Sequence, residues 1–295
     1  MKKFGHYSPL LLIAVAVILS ACSAKKNTAG SRFWQAFNTR YNVYYNGITH
    51  YNEQIKKLEG EYEDDYSQRL FIHPAEAYSN PKAPQPSTNF NRTIEKMQKA
   101  ISLHSIKKKP KRKNGKGNDP KYKESLKRDD AWYLMGKAQY MKGDFLSSAA
   151  TFHYIARHFS WKPDLVAEAQ VWEVLSYCAM GWTTEADNVL AHIHLDKIDN
   201  KRIRSLGNLA FADYFIKDKE FAKAIPYLAI AAKNSKGAQK VRLNFLLGQL
   251  YEDNNQKDLA YQAFKKAGSS NSSSYRTKFN ARIKQSAVYS GSNIN

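Results

Sequence analysis

Few side chains in this 295-residue sequence are spaced for chemistry. His192 and His194 fall in a stretch that reads as helix, where residues two apart point about 200° from each other, so they cannot close on one metal as an i, i+4 pair would. Glu59, Glu61, Glu63, Asp64 and Asp65 gather negative charge. They lack the spacing and the turning glycine of a calcium loop, and read as a solvated acidic face. Gly115-Lys116-Gly117 follows no strand and lacks the Walker spacing, so it is not a phosphate loop. Cys178 lies in an apolar helical stretch and reads as a buried structural thiol. The expectation is a protein that is not an enzyme, with no catalytic residue, no cofactor and no metal.

The exception is Cys22. A basic start (Lys2, Lys3), an apolar run from Leu10 to Leu19 and the small pair Ser20-Ala21 precede it, which is the layout of a signal peptide over residues 1–21. The apolar run reaches about 15 Å, roughly half of a bilayer's hydrocarbon core, too short for a permanent span. Leu19-Ser20-Ala21-Cys22 looks like a bacterial lipobox, in which the cysteine sulfur is diacylated, the chain is cut before it and its new amine is acylated. Two or more acyl chains anchor a protein stably. Ser23 stands where an aspartate would suggest inner-membrane retention, and Lys25 and Lys26 stand where an acidic run would suggest surface export. The expected location is the outer membrane, lipid-anchored through Cys22 and facing the periplasm, with residues 22–30 as a tether.

The chain carries 46 Lys and Arg against 26 Asp and Glu, a formal charge of +20. Much of the excess lies in residues 106–128, a basic loop broken by Pro110, Gly115, Gly117 and Pro120. In a cytosolic chain the run Lys107, Lys108, Lys109, Lys111, Arg112 and Lys113 would suit nucleic acid. Behind a signal peptide it suits anionic lipid, an acidic protein or anionic peptidoglycan, and no nucleic acid is expected.

The elements that must position these residues are helical. From Trp34, apolar residues recur at Phe37, Tyr41, Tyr44, Ile48, Tyr51, Ile55, Leu58 and Tyr62 in steps of three and four, one face of a helix. Residues 31–66 therefore read as a long helix with that face as packing surface, or as a helical hairpin if Asn46-Gly47 breaks it. A Pro-rich loop over 67–88 and a short helix over 89–105 follow, the latter marked by Phe90, Ile94, Met97 and Ile101.

Residues 129–274 repeat themselves. Asp130-Ala131-Trp132-Tyr133-Leu134-Met135-Gly136, Tyr140, Gly143-Asp144-Phe145, Ser148 and Phe152 follow the tetratricopeptide pattern of a helical hairpin of about 34 residues. Degenerate copies place Ala169, Tyr177, Gly181 and Leu190, then Phe211, Phe221, Ala224 and Leu228, then Gly248, Tyr251, Ala260 and Phe264 at matching positions. The anchors Gly143, Gly181, Lys219 and Asn255 follow at intervals of 38, 38 and 36 residues. Residues 275–295 add a capping helix and a polar tail. The expected fold is all-α: a tetratricopeptide-repeat solenoid of helical hairpins preceded by a long amino-terminal helix. By repeat position, the first helices should offer Tyr133, Lys137, Tyr140, Arg242, Phe245 and Gln249 to a protein partner.

Asn27-Thr28, Arg40-Tyr41-Asn42-Val43-Tyr44-Tyr45-Asn46-Gly47, the repeats and Phe279-Asn280-Ala281-Arg282 together resemble a family. The chain is similar to the periplasmic tetratricopeptide lipoproteins of Bacteroidota in the PorW or SprE family. That resemblance implies a non-enzymatic scaffold binding envelope proteins in type IX secretion and gliding motility. The alternatives are a lipoprotein of outer-membrane protein assembly and a peptidoglycan-binding envelope protein.

Overall fold

In the computed structural model, residues 27–105 and 128–289 are described. The segment expected as a signal peptide, Cys22 and the stretch expected as a basic loop through residue 127 lie outside them. The described residues are helical with no strand, and their helices pack in adjacent pairs. None of those helices is long and apolar enough to cross a membrane. The chain divides into two compact units, one of residues 1–52 and 91–135, the other of residues 53–90 and 136–295.

In the first unit, α1 (Ala29–Asn38) passes through a π-helical segment (Thr39–Tyr44) directly into α2 (Tyr45–Glu61), which runs on into the second unit. Thr28 caps the start, its hydroxyl accepting from Ser31 N–H at 3.2 Å. The helix runs unbroken through Asn46-Gly47, so the hairpin alternative is not realised. Gly47 is buried where α3 (Asn91–His104) crosses. Thr93 of α3 donates to the Gly47 carbonyl at 3.2 Å, a close approach that a glycine permits.

The π-helical segment also corrects the expected packing stripe. A π turn spends an extra residue, so upstream positions rotate relative to those downstream. Downstream, Tyr51 and Leu58 are buried as expected. Upstream the buried positions are Ser31, Gln35 and Thr39, while Trp34 and Phe37 are exposed. Gln35 Oε1 meets His104 Nδ1 at 2.6 Å, and Thr39 donates to the Gln35 carbonyl at 2.7 Å, so this polar face is satisfied inside the unit.

The second unit is a row of helical hairpins. Its helices are the carboxyl-terminal part of α4 (Asp129–Lys142) with α5 (Phe145–His158), α6 (Pro163–Met180) with α7 (Thr183–Leu190), α8 (Lys201–Lys217) with α9 (Phe221–Asn234), and α10 (Gly237–Asp253) with α11 (Lys257–Ser269). A last helix, α12 (Tyr275–Ala287), packs on α11. Each hairpin turns in the same way. Gly143, Gly181, Lys219 and Asn255 all take positive φ, between 56° and 85°. In each turn that residue's N–H bonds to the carbonyl three residues back, and the next N–H to the carbonyl five before it, at 2.8 to 3.2 Å. This left-handed cap closes the last carbonyls of the first helix and aims the chain into the second. The anchors spaced through the sequence are thus one backbone device used four times.

Small residues set the helix crossing within a hairpin. A Cβ on Gly136 would lie 2.8 Å from the Phe152 ring, and one on Gly248 would lie 2.7 Å from the Phe264 ring. The two glycine–phenylalanine pairs stand at the same interval along the chain, in the first and last hairpins, so each first helix accepts its partner's ring against bare backbone. Between hairpins, Tyr140, Phe152 and Trp172 pack as a ring cluster with centroids 5.2 to 5.9 Å from Trp172. Glu168 of α6 meets Arg202 of α8 through both carboxylate oxygens, at 2.5 and 2.7 Å.

Candidate functional site

The residues after α2 form the feature that sequence reading missed. The helix expected to reach residue 66 stops at Glu61, and Asp65 turns the chain by accepting from the Ser67 N–H at 2.9 Å and the Ser67 hydroxyl at 2.6 Å. From there the chain runs as a strap along the first helices of the hairpins, ending in a short 3-10 helix (Pro74–Ser79). Its first residues meet α12 and α10, and its later ones meet α8 and α4. Glu63 pairs with Arg276 of α12, and Tyr66 Oη lies 2.7 Å from Thr277 Oγ1. Tyr66 also sets its ring edge against Phe245 of α10, centroids 4.8 Å apart. Glu76 accepts from Lys217 Nζ of α8 at 2.8 Å. His73 lies edge-on to Tyr140 of α4, centroids 5.5 Å apart.

The grip at α10 falls largely on the strap's main chain. Gln249 accepts from Leu70 N–H at 3.0 Å and donates to the Gln68 carbonyl at 2.8 Å. Arg242 forms a two-pronged pair with Asp64, both contacts 2.7 Å, and the same guanidinium donates to the carbonyls of Phe71 at 3.0 Å and Ile72 at 3.3 Å. Leu70, Ile72, Ala75 and Ala77 are buried beneath this polar frame. Burying a leucine or isoleucine stabilises by about 1.5–3 kcal/mol, so the strap is held by apolar contact as well as by hydrogen bonds.

These contacts locate the six expected groove residues. Arg242, Phe245 and Gln249 share one face of α10, and all three touch the strap. Tyr140 and Phe245 are fully buried, which corrects the expectation that they stand open to a partner. The reason is that the chain supplies its own cover. Lys137 is half-buried, its ammonium 5.6 Å from the Trp172 ring centre. Burial lowers its pKa, Glu168 opposing and Arg202 assisting. Tyr133, half-buried, belongs to the first unit. Lys107, Lys108, Lys109, Lys111, Arg112, Lys113 and the acylation candidate Cys22 lie outside the described residues.

Three further readings change. Asp64 is not part of a solvated acidic face: it is buried against Arg242. His192 and His194 are not helical, because α7 ends at Leu190. His192 Nδ1 instead lies 2.9 Å from the Asn188 carbonyl. The 67–88 stretch, expected as a Pro-rich loop, is docked as a strap over its first half and carries a short 3-10 helix at Pro74–Ser79. The signals for the strap were present in the alternation of Leu70 and Ile72 and in an acid matching Arg242, but pairing residues so far apart in sequence needs the fold. Cys178 is fully buried, and burial, with Asp213 next, pushes its thiol pKa well up.

Charge under the strap is unevenly matched. Arg69, Phe71, Glu76, Asp213 and Lys217 line a cavity of about 250 Å³. Lys217 pairs with Glu76, while neither carboxylate oxygen of buried Asp213 has a hydrogen-bond partner. Burial, then the neighbouring Glu76 charge, hold the Asp213 carboxyl well above the usual range, with Lys217 opposing. His73 is pushed down to about 3 by burial, with Arg242 and Lys137 adding to it. Its Nδ1 accepts from Ala75 N–H at 3.1 Å, which requires the neutral ring. Among the described residues no cluster of His, Cys, Asp and Glu could hold a metal. No family model matches this chain, and no curated protein matches it.

Proposed function

We propose that this protein is a binding scaffold of the bacterial envelope, a tetratricopeptide-like array anchored in the outer membrane through Cys22, whose row of first helices grips extended polypeptide. The observation that carries this reading is the strap. An extended segment lies along that row with Gln249 and Arg242 holding its main chain, a mode of recognition indifferent to most side chains and suited to peptide ligands. A partner segment with an acid for Arg242 and apolar residues at alternate positions fits the same contacts. The reading includes no reaction, and it places the chain in an assembly like that of the type IX secretion and gliding-motility lipoproteins it resembles.

A labelled synthetic peptide of residues 62–79 tests the grip. It should bind in trans to the full chain carrying Leu70→Ser and Ile72→Ser, and far more weakly to wild type, whose face is filled. Equal, negligible binding to both rejects peptide recognition. For the anchor, a radioactive fatty acid should label wild type and not Cys22→Ser. For the partner, crosslinking in cells from position 137, followed by mass spectrometry, should return an envelope protein. A secretion component, an assembly component or peptidoglycan in that product separates the readings.

A further inference from the structure

Helix α1 is built inside out. Its buried face carries Ser31 and Gln35, continued by Thr39 at the start of the π-helical segment, while Phe33, Trp34 and Phe37 are 69%, 43% and 46% exposed. Tyr45, 61% exposed past the π-helical segment, extends the same outward arc. Phe33 and Phe37 stack with centroids 6.1 Å apart, so the rings form one continuous surface rather than scattered exposures. Leaving a phenylalanine in water forgoes about 1.5–3 kcal/mol of burial, and grouped apolar exposure of this kind marks a surface that meets something else.

Charge selects the occupant. No aspartate or glutamate precedes Glu53, whereas Arg32 stands beside the rings and Lys25 and Lys26 lie just before them. Aromatic rings on one side of a helix with basic residues around them are the pattern of a helix lying in the headgroup region of an anionic bilayer. A protein surface suited to these rings would gain nothing from the absence of any acid between Cys22 and Asn52, while an anionic leaflet repels any acid placed there.

We infer that the aromatic face of α1 rests in the interface of an anionic phospholipid leaflet, so that the helix lies along the membrane. This rests on the anchoring reading for its geometry. Six residues lie between Cys22 and Ala29, and the seven steps of chain from one to the other span at most about 25 Å when fully extended, which keeps α1 within reach of the bilayer that holds the acyl chains.

The acylated full chain, purified from bacterial membranes and reconstituted into phosphatidylethanolamine–phosphatidylglycerol vesicles, provides the test. Some vesicles carry phosphatidylcholine brominated near the headgroup end of its acyl chains. The Trp34 contribution is the difference between wild type and Trp34→Phe. It should be quenched by roughly half or more in brominated vesicles, and Phe33→Ser with Phe37→Ser should at least halve that quenching while helical circular dichroism stays unchanged. Protein that floats with the vesicles but shows no Trp34 quenching overturns the inference and leaves the anchor intact. So does quenching indifferent to the two phenylalanine substitutions, or a dimer crosslinked through α1 in place of quenching. Protein that neither floats nor takes up labelled fatty acid removes the anchor and the inference together.

Discussion

Two helices of this molecule carry aromatic rings, Phe245 on α10 and Phe33 with Phe37 on α1, and these rings meet opposite fates. On α10, Phe245 is completely buried because Tyr66 and the strap cover it. On α1, Phe33 and Phe37 stay exposed because the helix turns its polar side inward. An aromatic stripe therefore does not say what will cover it. Coverage depends on whether another stretch of the same chain has main-chain groups and a counter-charge to offer. The strap has both, in Asp64 and in the carbonyls of Gln68, Phe71 and Ile72.

The comparison breaks most sharply at Arg242. Arg242→Ala leaves Asp64 buried without its partner and strips two carbonyls of a donor, which should destabilise the protein by about 3–5 kcal/mol. Urea unfolding measures it, and the sequence around Leu70 should become the first site of proteolytic cleavage. A loss under about 1 kcal/mol would show the strap to be incidental to the fold.

Glycines extend the contrast to the helices beneath. Gly248→Ala drives a methyl into the Phe264 ring and should cost about 1–3 kcal/mol, partly recovered by Phe264→Leu. Gly30→Ala, in α1, has nothing within 4 Å to strike. It should be neutral or stabilise by up to about 1 kcal/mol through helix propensity alone. Thermal melts of the two single variants should move in opposite directions, or only the first should move.

Acid should separate the covered face from the uncovered one. His73 is held neutral down to about 3, below its ordinary 6.5, so both states are neutral above pH 6.5. As pH falls below 6.5 only the released strap takes up a proton, and stability is progressively lost toward pH 3. Limited proteolysis between pH 7 and 4 should show cleavage near residues 62–79 rising with acid. His73→Asn, which keeps a capping acceptor without the titration, should flatten that rise.

The smallest expected effect has the opposite sign. Asp213 has a raised folded pKa, so the native state holds an extra proton and loses stability as pH climbs above 3.8 toward that raised value. Asp213→Asn removes this cost. It should raise the melting temperature slightly at pH 7 and weaken its dependence on pH, while Lys217 keeps its pair with Glu76. A lowered melting temperature at pH 7 would mean that Asp213 has a partner in solution.

The repeat was legible because it is local. A positive-φ turn needs a residue that tolerates it, a close helix crossing needs a glycine opposite a ring, and both leave marks at a fixed interval: Gly143, Gly181 and Asn255 for the turns, Gly136 and Gly248 for the crossings. Lys219 is the exception that spacing alone revealed, since a lysine does not advertise a left-handed backbone. The candidate site was half legible. Repeat position picked out Arg242, Phe245 and Gln249 as one face of one helix, but gave them to a foreign partner.

By itself, then, the sequence determined the helices, their pairing into hairpins and the side chains on each first helix, because these follow from neighbours a few residues apart. Tertiary structure alone decided that residues 62–79 lie over that row and that α1 presents its rings outward. The first depends on contacts between residues nearly two hundred positions apart, such as Asp64 with Arg242. The second depends on one π turn, whose extra residue rotates a helix face without leaving a mark in the spacing of the side chains.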